Sequence, residues 1–412
     1  MMDKKMFRSI RCGAYILALV LFSNSCGLVA DLPMKDDIVN ESVIFTWVPV
    51  SPTPYFKANA PQGSENFGYS VDISDNFAVV GTLNNRVYVY TNSNGVLSNE
   101  QILTGTNGVL FGYSVAVSGD YIVVGDPGYS TGGVSGSADL FHYNGSTWDE
   151  VGWLNCPSTA PDAAGFSVDI DGDYIAVGDP YNSTNAGVCY IFYRNYLAPD
   201  SWGRQETLAS TSAAAEFGTS VSISGSNIVI GAPKEENTGG ADSGAFFFST
   251  RSGAVWSSPP TLVKAVTPVV GAWFGISVGI SGNNIVVGES QNDSVYLYRL
   301  DGGICKSIGP ISTTDSTPND EFGNSVSIAG SFIGIGAHFH DTGATNSGTA
   351  YIFNLNQRQQ EKSVITKTGP LGGDQLGFSL SMSTNCSIVG IPYDDDSSSD
   401  SGKVVVYKKV RQ

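Results

Sequence analysis

The chain has 412 residues and a formal net charge of −17, yet charged residues make up only 14% of it, against about 25% in an ordinary globular protein. Its 49 glycines and its 41% hydrophobic content suit a folded protein built from strands and turns rather than long helices. An acidic chain without a basic stripe repels phosphate backbones, so we expect no nucleic-acid partner.

Residues 1–27 predict an export signal. Basic residues between Lys4 and Arg11 precede the apolar run Cys12–Phe22, and small residues follow it. A run of about 11 residues is too short to cross a bilayer as a helix, which needs about 20. The alternative is a lipoprotein signal that ends before Cys26. No later stretch is long enough to span, so we expect a mature chain without a transmembrane span, secreted or attached to the outer cell surface.

One short pattern recurs seven times: an apolar residue, Gly, a variable residue, Ser and Val or Leu. A Gly follows each Ser at an interval of 11 residues. A fixed interval means a fixed strand register, because a slip of one residue would turn every side chain to the other face. The copies begin at Phe67, Phe111, Ala164, Phe217, Phe274, Phe322 and Leu376.

Each repeat predicts four strands. Two apolar runs lie between the Ser and the Gly, split by a turn such as Ser118–Asp120, which indicates a β-hairpin. An aromatic-rich run such as Ala350–Phe353 gives a third strand, and a run before the next repeat gives a fourth. Four strands per unit, with repeats starting 44 to 57 residues apart, predict an all-β fold: a seven-bladed β-propeller.

The two ends of the repeat array complement each other. The seventh unit lacks a fourth strand after Tyr407, while Tyr55–Asn59 occupies the place of a fourth strand with no blade before it. We therefore expect residues 55–412 to form the propeller, closed by an N-terminal strand that removes the open edges. Residues 28–54, which include the Pro-rich segment 47–54, are expected to form an extended leader.

The repeats resemble FG-GAP repeats. Phe-Gly opens most units, Gly231–Pro233 reads Gly-Ala-Pro, and Gly125–Pro127 and Gly178–Pro180 are variants of that motif. The resemblance covers residues from about 55 to 412 and implies a seven-bladed propeller like the head of the integrin α subunit. Integrin-type repeats often carry a calcium loop between strands one and two. Here Asp169–Asp173 is too short to supply the 6–8 oxygens that calcium takes.

The connections between strands two and three are long in five of the units. Loops of this kind build binding sites on a rigid scaffold, and by resemblance they form the face on which integrin-type heads meet ligand. We expect this face to bind an extracellular protein or a glycan. The candidate residues that it carries are Asp126, Tyr129, Asp179, Tyr181, Lys234, Glu235, Glu236, His338, His340, Asp341 and Tyr393.

Metal binding rests on two short patterns. Asp394, Asp396 and Asp400 present carboxylates at alternate positions of an acidic loop, although the loop lacks the central Gly and terminal Glu of an EF-hand. His338 and His340 would share one face of an extended segment, with no third ligand evident. Calcium at the acidic loop stays a hypothesis, and no cofactor is otherwise expected.

The predicted function is a surface or secreted binding and adhesion module. The alternative is a carbohydrate-binding lectin or a glycan-active enzyme on the same scaffold. Enzyme chemistry has little support, because the chain holds three His and neither a nucleophile elbow nor a phosphate loop. Glycosylation acceptor patterns begin at Asn40, Asn144, Asn182, Asn292 and Asn385.

Overall fold

The computed structural model describes residues 45–51, 54–59, 63–105, 109–131, 134–157, 162–195, 201–236, 240–313, 315, 317–357 and 360–411. The expected export signal and most of the expected leader lie outside these residues. Within them, no helix has the length and apolar character needed to cross a membrane. Cys156, Cys189, Cys305 and Cys386 are free thiols, and all but Cys305 are buried.

Nearly all of the regular structure is strand. Two strands, β1 (Phe45–Pro49) and β2 (Tyr55–Phe56), precede the first repeat. The repeats contribute β3 (Ser70–Ile73), β4 (Phe77–Gly81), β5 (Arg86–Ser93), β6 (Val96–Thr104), β7 (Ser114–Ser118), β8 (Tyr121–Thr131), β9 (Val134–Tyr143), β10 (Trp148–Leu154), β11 (Ser167–Asp171), β12 (Tyr174–Asp179), β13 (Val188–Arg194), β14 (Trp202–Ala209), β15 (Val221–Ser224), β16 (Asn227–Ala232), β17 (Ala245–Ser252), β18 (Val255–Trp256), β19 (Thr261–Lys264), β20 (Val278–Ser281), β21 (Asn284–Glu289), β22 (Ser294–Asp301), β23 (Ile304–Ile311), β24 (Ser325–Ala329), β25 (Phe332–Ala337), β26 (Thr349–Asn354), β27 (Gln360–Ile365), β28 (Leu380–Met382), β29 (Cys386–Ile391) and β30 (Lys403–Arg411). Short helical turns occur at Asn182–Asn185, Ser290–Asn292 and Leu355–Gln357.

These strands form seven antiparallel sheets, one per repeat, and the predicted seven-bladed β-propeller is confirmed. In six of the sheets the strands follow one another in chain order from the inner strand outward, as in β3-β4-β5-β6, whereas the order of blade seven is β28-β29-β30 followed by β1 and β2. The inner strands of neighbouring blades contact each other around the ring, and the last inner strand, β28, contacts the first, β3. The ring is therefore closed.

The hydrophobic core lies between adjacent blades. The first apolar residue of every repeat is almost fully buried, as shown by Phe67 at 0% and Phe322 at 1% exposure. The two faces of a blade are both covered by its neighbours, so the middle strands are mostly apolar and can be buried along their whole length, as in the all-buried pattern of β12. Buried and partly exposed residues alternate along inner strands such as β3, because one face of each inner strand lines the central axis.

A repeated hydrogen bond joins each blade to the next. The Ser that begins or precedes strand one donates its hydroxyl to the carbonyl of the Gly in the next copy of the pattern, at 2.7–3.1 Å in all seven places. That carbonyl also sits against the Gly near the end of strand two. A Cβ atom at Gly178, for example, would lie 2.1 Å from the oxygen of Gly218. The interval of 11 residues therefore brings the Ser hydroxyl and the strand-two Gly, which has no side chain, to the same inter-blade carbonyl.

Blade seven is completed by residues from the N-terminal end of the described chain. β2 pairs with β30 through Tyr55 and Val405, and β1 continues along β30 from Pro49 opposite Tyr407 to Phe45 opposite Arg411. The Pro-rich segment 47–54 predicts an extended leader here. The structure puts β1 in the sheet, at the outer edge, where a strand tolerates Pro because its outward N–H has no sheet partner.

We expect Trp47→Ala to destabilise the propeller, because Trp47 anchors β1. Its side chain is 4% exposed and meets the Phe332 ring at 5.4 Å, across the contact with blade six. Removing a buried indole costs about 3 kcal/mol, which thermal unfolding would report as a clear fall in Tm. Trp153→Ala is the matched control, since Trp153 is 55% exposed and should change the free energy of unfolding by about 0.5 kcal/mol or less. Equal Tm values for both variants would mean that β1 contributes nothing to closure.

Gly178→Ala tests the inter-blade contact directly. The added methyl would clash with the Gly218 carbonyl and would lie 2.3 Å from the Ser167 hydroxyl, so backbone must move. We expect a loss of about 3 kcal/mol in the free energy of unfolding, measured by chemical denaturation. Gly63→Ala is the control, because the nearest atom to its new methyl would be 3.9 Å away. A Gly178→Ala protein as stable as the Gly63→Ala protein would contradict this account of the repeat.

Candidate functional site

The propeller has two chemically different faces. Strand one starts beside the Phe-Gly pattern and ends at a short turn, so the antiparallel order puts all strand two–three loops and all connections between blades on one side. We call this side the loop face, and the side of the strand one–two turns the turn face. The turns are short, and in five of the seven blades they hold a Gly with φ of 58°, as at Gly119 and Gly282. The strand two–three loops, which differ in length from blade to blade, therefore all lie on the loop face.

Asp126 and Asp179, expected to face a ligand, are buried at 1% and 0% exposure. The Leu110 N–H donates to Asp126 Oδ1 at 3.2 Å, and the Ala163 N–H donates to Asp179 Oδ1 at 2.9 Å. Burial raises the pKa of Asp179 to about 6. Both carboxylates thus bind the backbone that leads into the Phe-Gly pattern, or its equivalent, of their own repeat, and their contribution to the loop face is structural.

His338 is also buried, at 4% exposure. Its ring lies 4.0 Å from the Phe339 ring and 5.4 Å from the Phe378 ring, and its Nε2 is 3.6 Å from Glu321 Oε2. Burial lowers the pKa of His338 to about 4, so the imidazole is neutral at pH 7. His340 instead lies 3.0 Å from the Thr342 hydroxyl through Nδ1. The two imidazoles have separate partners.

Of the remaining candidate residues, some are held in hydrogen bonds and others are exposed to solvent. Lys234 donates to Glu216 at 2.8 Å, and Glu235 is 3% exposed, where it accepts from serine hydroxyls. Glu236 and Asp341 are exposed at loop tips. The Tyr129 side chain lies outside the described part of the structure.

Two lysines occupy the space between the carboxylates of the acidic loop. Lys367 lies 2.5 Å from Asp394 and 3.1 Å from Asp374, while Lys403 lies 3.1 Å from Asp394 and 2.5 Å from Asp396. Burial alone would lower the pKa of Lys367, but its hydrogen bonds to Asp394 and Asp374 raise it. The carboxylates expected to hold calcium are therefore neutralised by ammonium groups.

Asp400, the third expected ligand, stands apart from those lysine contacts: its N–H donates to Asp395 and its φ is 50°. Among the described residues, no group of three or more His, Cys, Asp or Glu side chains has the arrangement of a metal site.

Aromatic side chains gather at the mouth of the central channel on the loop face. They come from the variable position between Gly and Ser in the repeats of four consecutive blades. Successive ring centroids are 4.9–5.2 Å apart, and two of the predicted tyrosines extend the set at 5.7 and 6.0 Å. Each ring is only half-buried. We call this set the aromatic arc: Phe166, Tyr113, Tyr69 and Phe378, with Tyr181 and Tyr393 outside them.

The same position in the other three blades carries Thr219, Ile276 and Asn324. The connection that enters blade five, which lies on the loop face, exposes three apolar side chains: Val266 at 65%, Val269 at 43% and Val270 at 65%. We call these three residues the valine patch. Scattered surface valines are ordinary, but three exposed valines within five residues are a local concentration of apolar surface.

Beneath the mouth, the channel is narrow, with a volume of about 180 Å³. Its polar lining is part of the closure, because a side-chain oxygen of one blade accepts a backbone N–H of the next: Val117 donates to Asp72 at 2.6 Å and Ile223 to Asp169 at 2.7 Å. Burial, and then the charge of Asp72, raise the pKa of Asp169 to about 7. The ring of lining residues is Asp72, Ala116, Asp169, Ser222, Gly279, Ser327 and Ser381.

The FG-GAP repeat family matches the chain in two places, residues 202–248 and 309–353. Each match begins in the outer strand of one blade and ends in the third strand of the next, so it spans an inter-blade contact. A search among curated proteins found no match to the chain.

Asp169 makes stability depend on pH in a defined direction. Its pKa is about 7 in the folded chain and about 3.9 when unfolded, so the folded state holds the extra proton and the free energy of unfolding falls as pH rises from about 4 to about 7. Asp169→Asn cannot ionise and keeps an oxygen for the Ile223 N–H. Its stability relative to wild type should therefore rise over that window, as denaturation at pH 4 and pH 8 would show. Asp171→Asn, outside the channel, serves as the control. A difference between wild type and Asp169→Asn that does not change with pH would contradict the assignment.

Proposed function

The chain carries FG-GAP repeats on a seven-bladed β-propeller, consistent with the N-terminal propeller of integrin α subunits, and we propose that it is an exported protein-binding module that meets its partner on the loop face. The fold itself suggests a protein-interaction module. Residues 1–27 support export, as their basic, apolar and small segments follow the order of a secretory signal.

The aromatic arc carries this proposal. Tyrosine and phenylalanine provide large contact area with few rotatable bonds, and aromatic anchors dominate the binding energy of protein interfaces. Here the rings are half-buried, which holds their orientation, and they start at strands fixed by the inter-blade hydrogen bonds. A rigid aromatic rim around a narrow channel suits a partner that inserts a side chain or a loop at the mouth.

The valine patch extends the same surface across blade five. With the aromatic arc on blades seven, one, two and three, it gives the loop face two apolar regions on opposite sides of the mouth. On the loops of blades four, six and seven, Lys234 is paired with Glu216, while Glu236, Asp341 and Asp395 are exposed. An apolar surface with an acidic border favours a protein partner with basic groups at its own border, since complementary charge accelerates and orients association.

We expect no catalytic activity from this face. Asp126 and Asp179 are held by backbone N–H groups, and Asp394 is held by lysines, so these buried carboxylates are committed to structural contacts. The buried imidazole of His338 is likewise enclosed by Phe339 and Phe378. Binding energy on this face would come from the rings and the valines.

Substitutions in the aromatic arc test the proposal. The partner would be captured on immobilised residues 28–412, identified by mass spectrometry and then titrated against purified variants. Tyr69→Ala, Tyr181→Ala and Tyr393→Ala should each weaken binding by about 1 kcal/mol or more, because each removes a half-buried ring from the mouth.

Turn-face variants provide the matched control. Asp120→Ala and Asn283→Ala change exposed residues on the opposite side and should leave the affinity unchanged. All variants should unfold within a few degrees of wild type. Loss of binding in the turn-face variants, with full binding in the tyrosine variants, would place the functional surface on the other side.

A further inference from the structure

A cleft of about 470 Å³ opens between blades two and three, away from the mouth of the channel. It lies between the outer strand of blade two, β10, and the outer strands of blade three, β13 and β14. Its volume falls within the range of small-molecule sites, about 300–1,000 Å³. The residues that give the cleft its character are Tyr121, His142, Val151, Trp153, Arg194 and Trp202.

An aromatic floor with polar neighbours defines the inner part of the cleft. Tyr121 is 8% exposed, the Trp202 ring meets it edge-on at 5.4 Å, and the His142 ring lies against it at 4.6 Å. The Arg194 guanidinium is 5.4 Å from the centre of the Tyr121 ring. Hydrogen-bonding groups thus stand beside an apolar surface, which is the usual composition of a ligand site.

The outer wall exposes an indole to solvent. Trp153 is 55% exposed and Val151 is 54% exposed, although both belong to β10. The register of β10 against β9 shifts between Glu150 and Gly152, and such a bulge re-aims side chains. At Gly152 a Cβ atom would meet nothing within 4 Å, so the cleft is open beside the indole.

Other tryptophans at the outer strands behave differently. Trp148 is 5% exposed and packs on Phe77 at 4.9 Å, and Trp256 is 3% exposed and packs on Tyr174 at 5.8 Å. Those indoles fill the spaces between blades. Trp153 has no such role, because more than half of its surface faces solvent next to the cleft.

We propose that this cleft binds a neutral saccharide, with a pyranose ring on Trp153. The C–H face of a pyranose is apolar and matches an indole, while its hydroxyls need hydrogen-bonding groups such as those of His142 and Arg194. Neutrality follows from the local charges: Arg194 Nε lies 2.9 Å from Asp173, and His142 Nε2 lies 3.9 Å from Asp120, so each cationic or polar group already has a carboxylate beside it. This site is separate from the loop face and independent of the protein partner proposed there.

Titration with methyl β-D-galactopyranoside and methyl β-D-glucopyranoside tests the assignment. The indole N–H signals of the 28–412 chain would be followed by NMR, with the Trp153 signal identified by its loss in Trp153→Phe. We expect one of the two sugars to shift that signal saturably. Trp153→Ala should weaken binding of that sugar by about tenfold or more, and Trp153→Phe, which keeps a ring, by less. If neither sugar moves the Trp153 signal saturably, the proposal is overturned.

Two controls separate this site from other surfaces. Ile308→Ala alters an exposed apolar residue at the corresponding register shift of β23 and should bind sugar as wild type does. Tyr181→Ala, on the loop face, should also leave sugar binding unchanged, even where it weakens binding of the protein partner. Sugar binding that survives Trp153→Ala in full, or that is lost in Tyr181→Ala, would place the saccharide elsewhere and overturn the proposal.

Discussion

The propeller depends on one contact repeated seven times, in which a serine hydroxyl and a glycine without a side chain enclose the carbonyl of the next Phe-Gly pattern. The space is too small for any methyl group, since a Cβ at the strand-two Gly would lie 1.9–2.1 Å from that carbonyl oxygen. Because every blade makes the same contact, the inner strands stand at one spacing around the axis. These evenly spaced inner strands form the walls of the narrow channel and hold its mouth on the loop face in a fixed geometry.

A rigid frame leaves two kinds of position free to vary. The residue between Gly and Ser points to the mouth, and four consecutive blades fill it with aromatic rings that form most of the aromatic arc. The strand two–three loops vary in length, yet many of their charged residues serve the frame. Asp126 and Asp179 accept backbone N–H groups, and Asp394 joins Lys367 and Lys403 in a buried ionic cluster. Charge in a loop is thus a poor guide to a ligand surface here, because these carboxylates are held in structural contacts.

The two proposed binding surfaces use the architecture differently. The loop face offers broad apolar regions with an acidic border, which suits a protein. The cleft between blades two and three is small and combines the exposed Trp153 indole with polar groups, which suits a sugar. They lie on different parts of the ring and share none of the residues assigned to them, so the two proposed sites are independent of each other.

The sequence by itself determined the blades: a constant interval between Ser and Gly fixes the hairpin register, and seven copies fix the number of units. It also pointed to the loop face and to Tyr181 and Tyr393, because loop length and aromatic content are local properties. Burial was decided by the tertiary structure, since the side chains that surround Asp179 and His338 come from distant parts of the chain. The same holds for Lys367, which is 27 residues from Asp394 in sequence. The aromatic arc and the cleft likewise exist only after the ring closes, when residues about 50 positions apart become neighbours.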